Sequence, residues 1–191
     1  MKQPSLFALL LTCLLAGCAL TQESPPTHFY ILPAPEAANF PSRSLKQVIG
    51  VRPIVLPSYL DRPQIVRMTK GGEVRLADFH HWAEPPSAGI ERVLTAGLAA
   101  RLPNSRIVPS PVHHLHPDQL LQIKIHEFQT GESECRLLAE WRLSRNNRTL
   151  AWRREDIRLP LPSSGYDDIV QTMGRAIDVL AARIVEKLPA D

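Results

Sequence analysis

The apolar positions of the chain follow two different periods. From Gln119 to Phe128 they alternate, with Leu121, Ile123 and Ile125 on one face and Gln122, Lys124 and His126 on the other. Cys135, Leu137, Ala139, Trp141 and Leu143 alternate next, opposite Arg136, Glu140 and Arg142. Asn146-Asn147 then turns the chain into Thr149–Leu159. A period of two is that of a half-buried strand, so these runs predict an antiparallel meander with one wet face. At the C-terminal end the period changes. Tyr166, Ile169, Val170, Met173, Ile177, Leu180, Ile184 and Leu188 form a stripe over about six turns of a 3.6-residue helix. Ser163-Ser164 offers that helix a cap, and Asp167 and Asp168 suit its first turn.

The first half is more punctuated. His28–Leu32 reads as a strand ended by Pro33 and Pro35. Gln47–Leu56 is β-branched and apolar, and its Pro53 predicts an edge position or a bulge. Gln64–Thr69 and Glu73–Ala77 flank Lys70-Gly71-Gly72, a tight hairpin signal because glycine accepts positive φ. Pro85-Pro86 opens a helix carrying Ile90, Val93, Leu94, Leu98 and Leu102, and Pro103 stops it. Ser105–Pro109 is a short strand, and PVHHLHP after it a loop. Two helices and roughly eight strands predict an α+β domain, a mostly antiparallel or mixed sheet with both helices on one face.

Composition narrows the class. The 191 residues suit one domain behind a leader, and 44% hydrophobic residues are enough for a core. The formal charge is only +3, and no basic stripe stands out, so nucleic acid is not an expected partner. The 18 prolines favour edge strands, turns and an extended tether over a helical bundle.

The N-terminus changes the picture further. One Lys precedes the apolar run Leu6–Ala16, and small residues follow, as in a secretory leader. The run falls short of the roughly 20 apolar residues that a membrane-spanning helix needs. It ends in Leu15-Ala16-Gly17-Cys18, which resembles the bacterial lipobox. That resemblance implies cleavage before Cys18 and acylation of its sulfur and new amine. One acyl chain binds a membrane marginally and more than one binds it stably, so such an anchor is permanent. The position after the cysteine is Ala19, not the Asp that holds such proteins at the inner membrane, which implies the outer membrane. The expected division is a leader over 1–17, a lipidated tether over 18–27 and one α+β domain over 28–189. The tether reaches at most about 35 Å, so any partner spanning the envelope must come to the domain. With Cys13 in the leader and Cys18 acylated, Cys135 stands alone, and its place in an alternating strand reads as a small buried hydrophobe.

Catalytic motifs are scarce. No phosphate-cradling glycine loop, nucleophile elbow or H-E-x-x-H occurs. His80-His81 and His113-His114-x-His116 are zinc-compatible residue types. Neighbouring histidines in a strand point to opposite faces, however, and no cysteine pair supports them. They read as solvated loop histidines, and no enzyme activity, metal or cofactor is expected.

Several stretches together resemble one family, the ABC-type transport auxiliary lipoproteins (the paraquat-inducible protein C family). They are the lipobox ending at Cys18, FYILP, PSYLDRPQIV (Pro57–Val66), HWAEPP (His81–Pro86), the Trp141 strand and the long last helix. Two positions depart from the family pattern: His81 stands where Arg is usual, and Pro86 where a hydrophobic residue is usual. The resemblance implies a non-enzymatic lipoprotein on the periplasmic face of the outer membrane. It would act with a periplasm-spanning protein built of mammalian-cell-entry (MCE) domains, in moving phospholipid or other apolar molecules between membranes. A ring-like homo-oligomer would suit the end of such a tube. Candidate partner-binding residues are Tyr59, Leu60, Asp61 and Arg62 in one turn, and Trp82 and Glu84 before the first helix; exposed aromatics and Arg are favoured at interfaces. The competing structural reading packs Tyr59 and Leu60 on the sheet, pairs Arg62 with Asp61 and makes Trp82 a corner. Two other functions stay open: a scaffold for another envelope machine, or a carrier of a small apolar ligand in a cavity of roughly 300 Å³ or more.

Overall fold

A computed structural model describes residues 24–34, 40–69, 71–111 and 116–189. The lipobox, Cys18, most of the tether, Pro35, Lys70, His113 and His114 lie outside the described residues.

The meander forms as its alternation dictates. Strands β6 (Gln119–Thr130), β7 (Glu134–Arg145) and β8 (Arg148–Pro160) pair antiparallel in sequence order. Asn146 and Asn147 both adopt positive φ, 47° and 64°, the two left-handed residues that a tight two-residue hairpin turn requires. Cys135, Leu137, Ala139, Trp141 and Leu143 are fully buried on one face. Helix α1 (Pro86–Arg101) packs on helix α2 (Tyr166–Glu186), and α2 lies on β7 and β8. Ile169, Val170, Met173, Ile177, Leu180, Ile184 and Leu188 from the predicted stripe are all buried, so the stripe is core. The fold is α+β, as expected.

The other half gives the sheet its mixed character. Strand β2 (Val48–Val51) runs parallel to β6 on one side and to β5 (Arg106–Pro109) on the other. Beyond it Val55 bridges Lys124, and at the far end of β6, Arg67 of β3 (Gln64–Met68) pairs with Thr130. The same edge of β6 thus serves two arms, and the sheet forks. The second arm continues through β4 (Val74–Trp82), antiparallel to β3 across the Gly72 turn (φ 82°), to β1 (His28–Tyr30).

Two sequence expectations are corrected. The run through Pro53 is not an edge strand: β2 is paired on both sides and ends before the proline, which has no N–H for a ladder. Ser163 and Ser164 do not cap α2. Gly165 holds the cap position with no side-chain bond, and the Ser163 hydroxyl instead accepts from Gly165 N at 3.1 Å. The opposite end of α2 is clamped by Arg43, whose Nη1 donates to the Val185 and Leu188 carbonyls at 2.7 and 2.8 Å. Carbonyls at a helix terminus lack α-helical partners; the Val185 carbonyl also takes a longer bond from Leu188 N at 3.4 Å.

Candidate functional site

Two backbone hydrogen bonds draw distant parts of the chain together. Trp82 N, at the end of β4, donates to Pro63 O at 2.6 Å, and Ala83 N donates to Tyr30 O at 2.8 Å. Pro86 follows as the first residue of α1, where a missing N–H costs no helical bond. The turn before β3 is closed by Leu60 N to Pro57 O and Arg62 N to Leu60 O, 3.0 and 2.9 Å. Between these corners runs a groove of about 340 Å³, lined by Asp61, Arg62, Pro63, Trp82, Ala83, Glu84, Pro85 and Pro86.

Four of the six predicted contact residues meet here: Asp61, Arg62, Trp82 and Glu84. Tyr59 and Leu60 do not line it. Leu60 is buried in the core and Tyr59 packs against it, since turning apolar side chains inward removes them from water. Burial, with the nearby Glu127 carboxylate, raises the Tyr59 pKa. Trp82 is also a core residue, showing the groove only part of its ring. Glu84 is held by Arg92 at 2.5 Å, and Arg92 also donates to the Leu32 carbonyl at 2.9 Å, so this wall is fixed. Arg62 does not pair with Asp61; its Nε is buried and has no hydrogen-bond partner among the described residues. A buried donor without an acceptor costs roughly 1–3 kcal/mol. The groove thus offers two carboxylates, one guanidinium and part of an indole between the walls of Pro63, Pro85 and Pro86.

The histidines are placed differently from expectation. His80 and His81 lie in β4, not in a loop, and both are half-buried. They face opposite ways, as strand neighbours must. His80 stacks on Tyr166 with ring centres 3.7 Å apart, and its Nδ1 is 2.9 Å from the Tyr30 hydroxyl. Burial and the neighbouring His28 lower its pKa. His81 meets Phe29 edge-on. His116 is exposed. Among the described residues no three His, Cys, Asp or Glu side chains group closely enough to hold a metal ion.

Behind the groove, Leu32, Leu60, Val66, Ile90, Phe128 and Met173 surround an apolar hollow of about 20 Å³, room for one water. A lipid-sized ligand needs about 300 Å³ or more, so this hollow does not serve a small-ligand carrier. No described helix is long and apolar enough to cross a membrane.

Fold and groove define a forked-sheet α+β domain that offers a binding surface. Two solved structures share the fold. One, an uncharacterized protein, has a TM-score of 0.74 at 20% identity, covering 86% of this chain and 100% of its own. The other, from Xanthomonas campestris, has a TM-score of 0.66 at 15% identity, covering 84% and 93%. No curated protein matches the chain. A family model for the ABC-type transport auxiliary lipoprotein component matches residues 30–185, and the chain belongs to that family. The chain is thus an auxiliary component of a transport system, of a lipoprotein type.

Proposed function

We propose that the protein is acylated on Cys18, stands on the periplasmic face of the outer membrane and docks a periplasm-spanning MCE-domain protein through the groove beside α1. It works by positioning rather than by chemistry, holding the end of a lipid-conducting tube at the membrane. The convergence of the Asp61–Pro63 and Trp82–Pro86 corners on one groove carries this reading. Both corners come from the stretches that resemble the family's most specific motifs. Ala19 after the cysteine supports the outer membrane, and the short tether supports a partner that crosses the periplasm.

The test is recovery of the native lipoprotein from cells in mild detergent, with quantitative mass spectrometry, beside Arg62→Glu. The reading expects an MCE-domain protein among the leading partners of the unaltered chain and at least a tenfold loss in the variant, with its melting temperature little changed. Recovery of outer-membrane insertion or lipopolysaccharide-export components, without an MCE-domain protein, overturns it in favour of the scaffold alternative.

A further inference from the structure

The face of the meander turned away from the helices carries a second feature. A groove of about 660 Å³ crosses it, with Gln122, Lys124, Glu140 and Arg142 in its floor. The strand register sets these side chains in rows. Gln122 opposes Arg142, which opposes Trp152; Lys124 opposes Glu140. Arg52 closes one side of the groove. Arg142 donates to the Gln122 side-chain oxygen. The Arg52 and Lys124 side chains have no hydrogen bond or ion pair among the described residues. Three cations against one carboxylate leave the groove net positive.

The rim is apolar. Val55 on one side and Trp152 on the other are each 54% exposed, whereas Trp82 and Trp141 are buried. They lie three strand spacings apart across the sheet, about 14 Å, and two residues apart along it. The alternation of β8 puts Trp152 on the outer face, opposite Arg142. We propose that this face lies on a bilayer, with Trp152 and Val55 at headgroup depth and Arg52, Lys124 and Arg142 against anionic phospholipid phosphates. The distribution favours a bilayer over an acidic polypeptide. A chain filling the groove would meet its polar floor and leave the apolar rim wet; a flat interface meets the rim first. Indole rings favour that interface, and cations beside it reach phosphate. The inference rests on the lipoprotein character of the family, which keeps a membrane within reach, and not on the groove beside α1.

Each cation brought to an anionic leaflet gains roughly 1 kcal/mol, so two net charges favour the docked orientation about 30-fold over neutral lipid. The experiment uses the native lipoprotein on vesicles of phosphatidylcholine alone and of phosphatidylcholine with phosphatidylglycerol, each with brominated acyl chains. Flotation reports attachment, and tryptophan quenching reports whether Trp152 has reached the bilayer, since the buried Trp82 and Trp141 give a constant background. The expected result is flotation on both, strong quenching only on the anionic vesicles, and its loss in 0.5 M salt and in Arg52→Gln/Lys124→Gln. Equal quenching on both vesicles, or quenching unaffected by the double substitution, overturns the proposal while leaving the anchor intact. No flotation on either vesicle overturns both. Quenching absent from vesicles, with Trp152 emission shifting only when a polyglutamate probe is added, assigns the face to an acidic polypeptide and overturns it too.

Discussion

Replacing Asp178 by Ala should destabilise the domain by about 3 kcal/mol, because it strips the counter-ion from a buried guanidinium. Arg101, in the last turn of α1, is 5% exposed and bonds both carboxylate oxygens of Asp178 on α2, at 2.7 and 2.9 Å. Its other contacts are the Gly97 carbonyl at 3.0 Å and the Phe40 ring, centred 3.9 Å from the guanidinium carbon. Those remain in the variant, but neither carries charge. Breaking a buried pair costs about 3–5 kcal/mol, and water access to Asp178, 23% exposed, points to the lower end. For a domain of this size that is a fall in melting temperature of about 6–12 °C. Urea titration followed by tryptophan emission measures it, with an unchanged slope confirming that stability alone moved. Arg101→Met with Asp178→Leu should recover most of the loss, since an apolar pair needs no desolvation. A loss below about 1 kcal/mol, or a double variant as unstable as the single one, would refute the reasoning. The pair matters to function because α1 carries Pro86 into the groove wall.

Three further outcomes follow. Gly174→Ala should cost about 1–3 kcal/mol in a denaturation curve, because the new methyl would lie 2.6 Å from Pro33 Cγ and 2.9 Å from its carbonyl oxygen. Stability should slip gently as pH drops below about 6.5, because half-buried His80 takes up its proton less readily folded than unfolded, and should fall more steeply below about 4.5. Burial pushes the Glu155 carboxyl up, but Lys187 at 2.6 Å and Arg183 at 3.3 Å outweigh it and lower the pKa; Arg136 bonds hold Asp156 down at about 2. Both folded values are depressed, so their contribution is complete above the unfolded pKa and lost as pH drops through the folded one. Asp156 is 41% exposed and solvent screening limits it to about 1 kcal/mol, so Glu155→Gln should remove most of the slope below about pH 4.5 and leave the gentler His80 slope above it. Cys135 should resist a thiol reagent at pH 8 until the protein unfolds, since burial, then the adjacent Glu134, raises its pKa to about 12.

What could be read from the sequence was local. Alternation in β6 to β8, the Gly71-Gly72 turn, the Pro85-Pro86 helix start and the stripe of α2 each carry their signal within one turn or strand. What could not be read lies between segments distant in sequence. Nothing near Val48 says that it pairs with Arg106 and lies beside β6, so the fork was invisible and Pro53 suggested an edge. The two corners were each singled out as partner-binding candidates, but their meeting depends on the register of β3 and β4, which slips between Gln64 and Val66 to set Gln64 opposite His81 and is closed by Trp82 N to Pro63 O. Leu60 turned inward because an apolar side chain follows the core rather than its polar neighbours. The cationic face was missed because its charges are scattered: Arg52, Lys124 and Arg142 become neighbours only through register. Trp152 was the available signal, a large aromatic among arginines on the wet side of an alternating strand.

The most direct test of the docking claim is photo-crosslinking in living cells from a reactive residue placed at Ala83, inside the groove, with Arg153 on β8 as the comparison site. The account predicts an adduct with an MCE-domain protein from position 83, weakened by Arg62→Glu, and none from position 153. Crosslinking from both positions alike, or from 83 only to proteins outside the lipid-transport system, would contradict it.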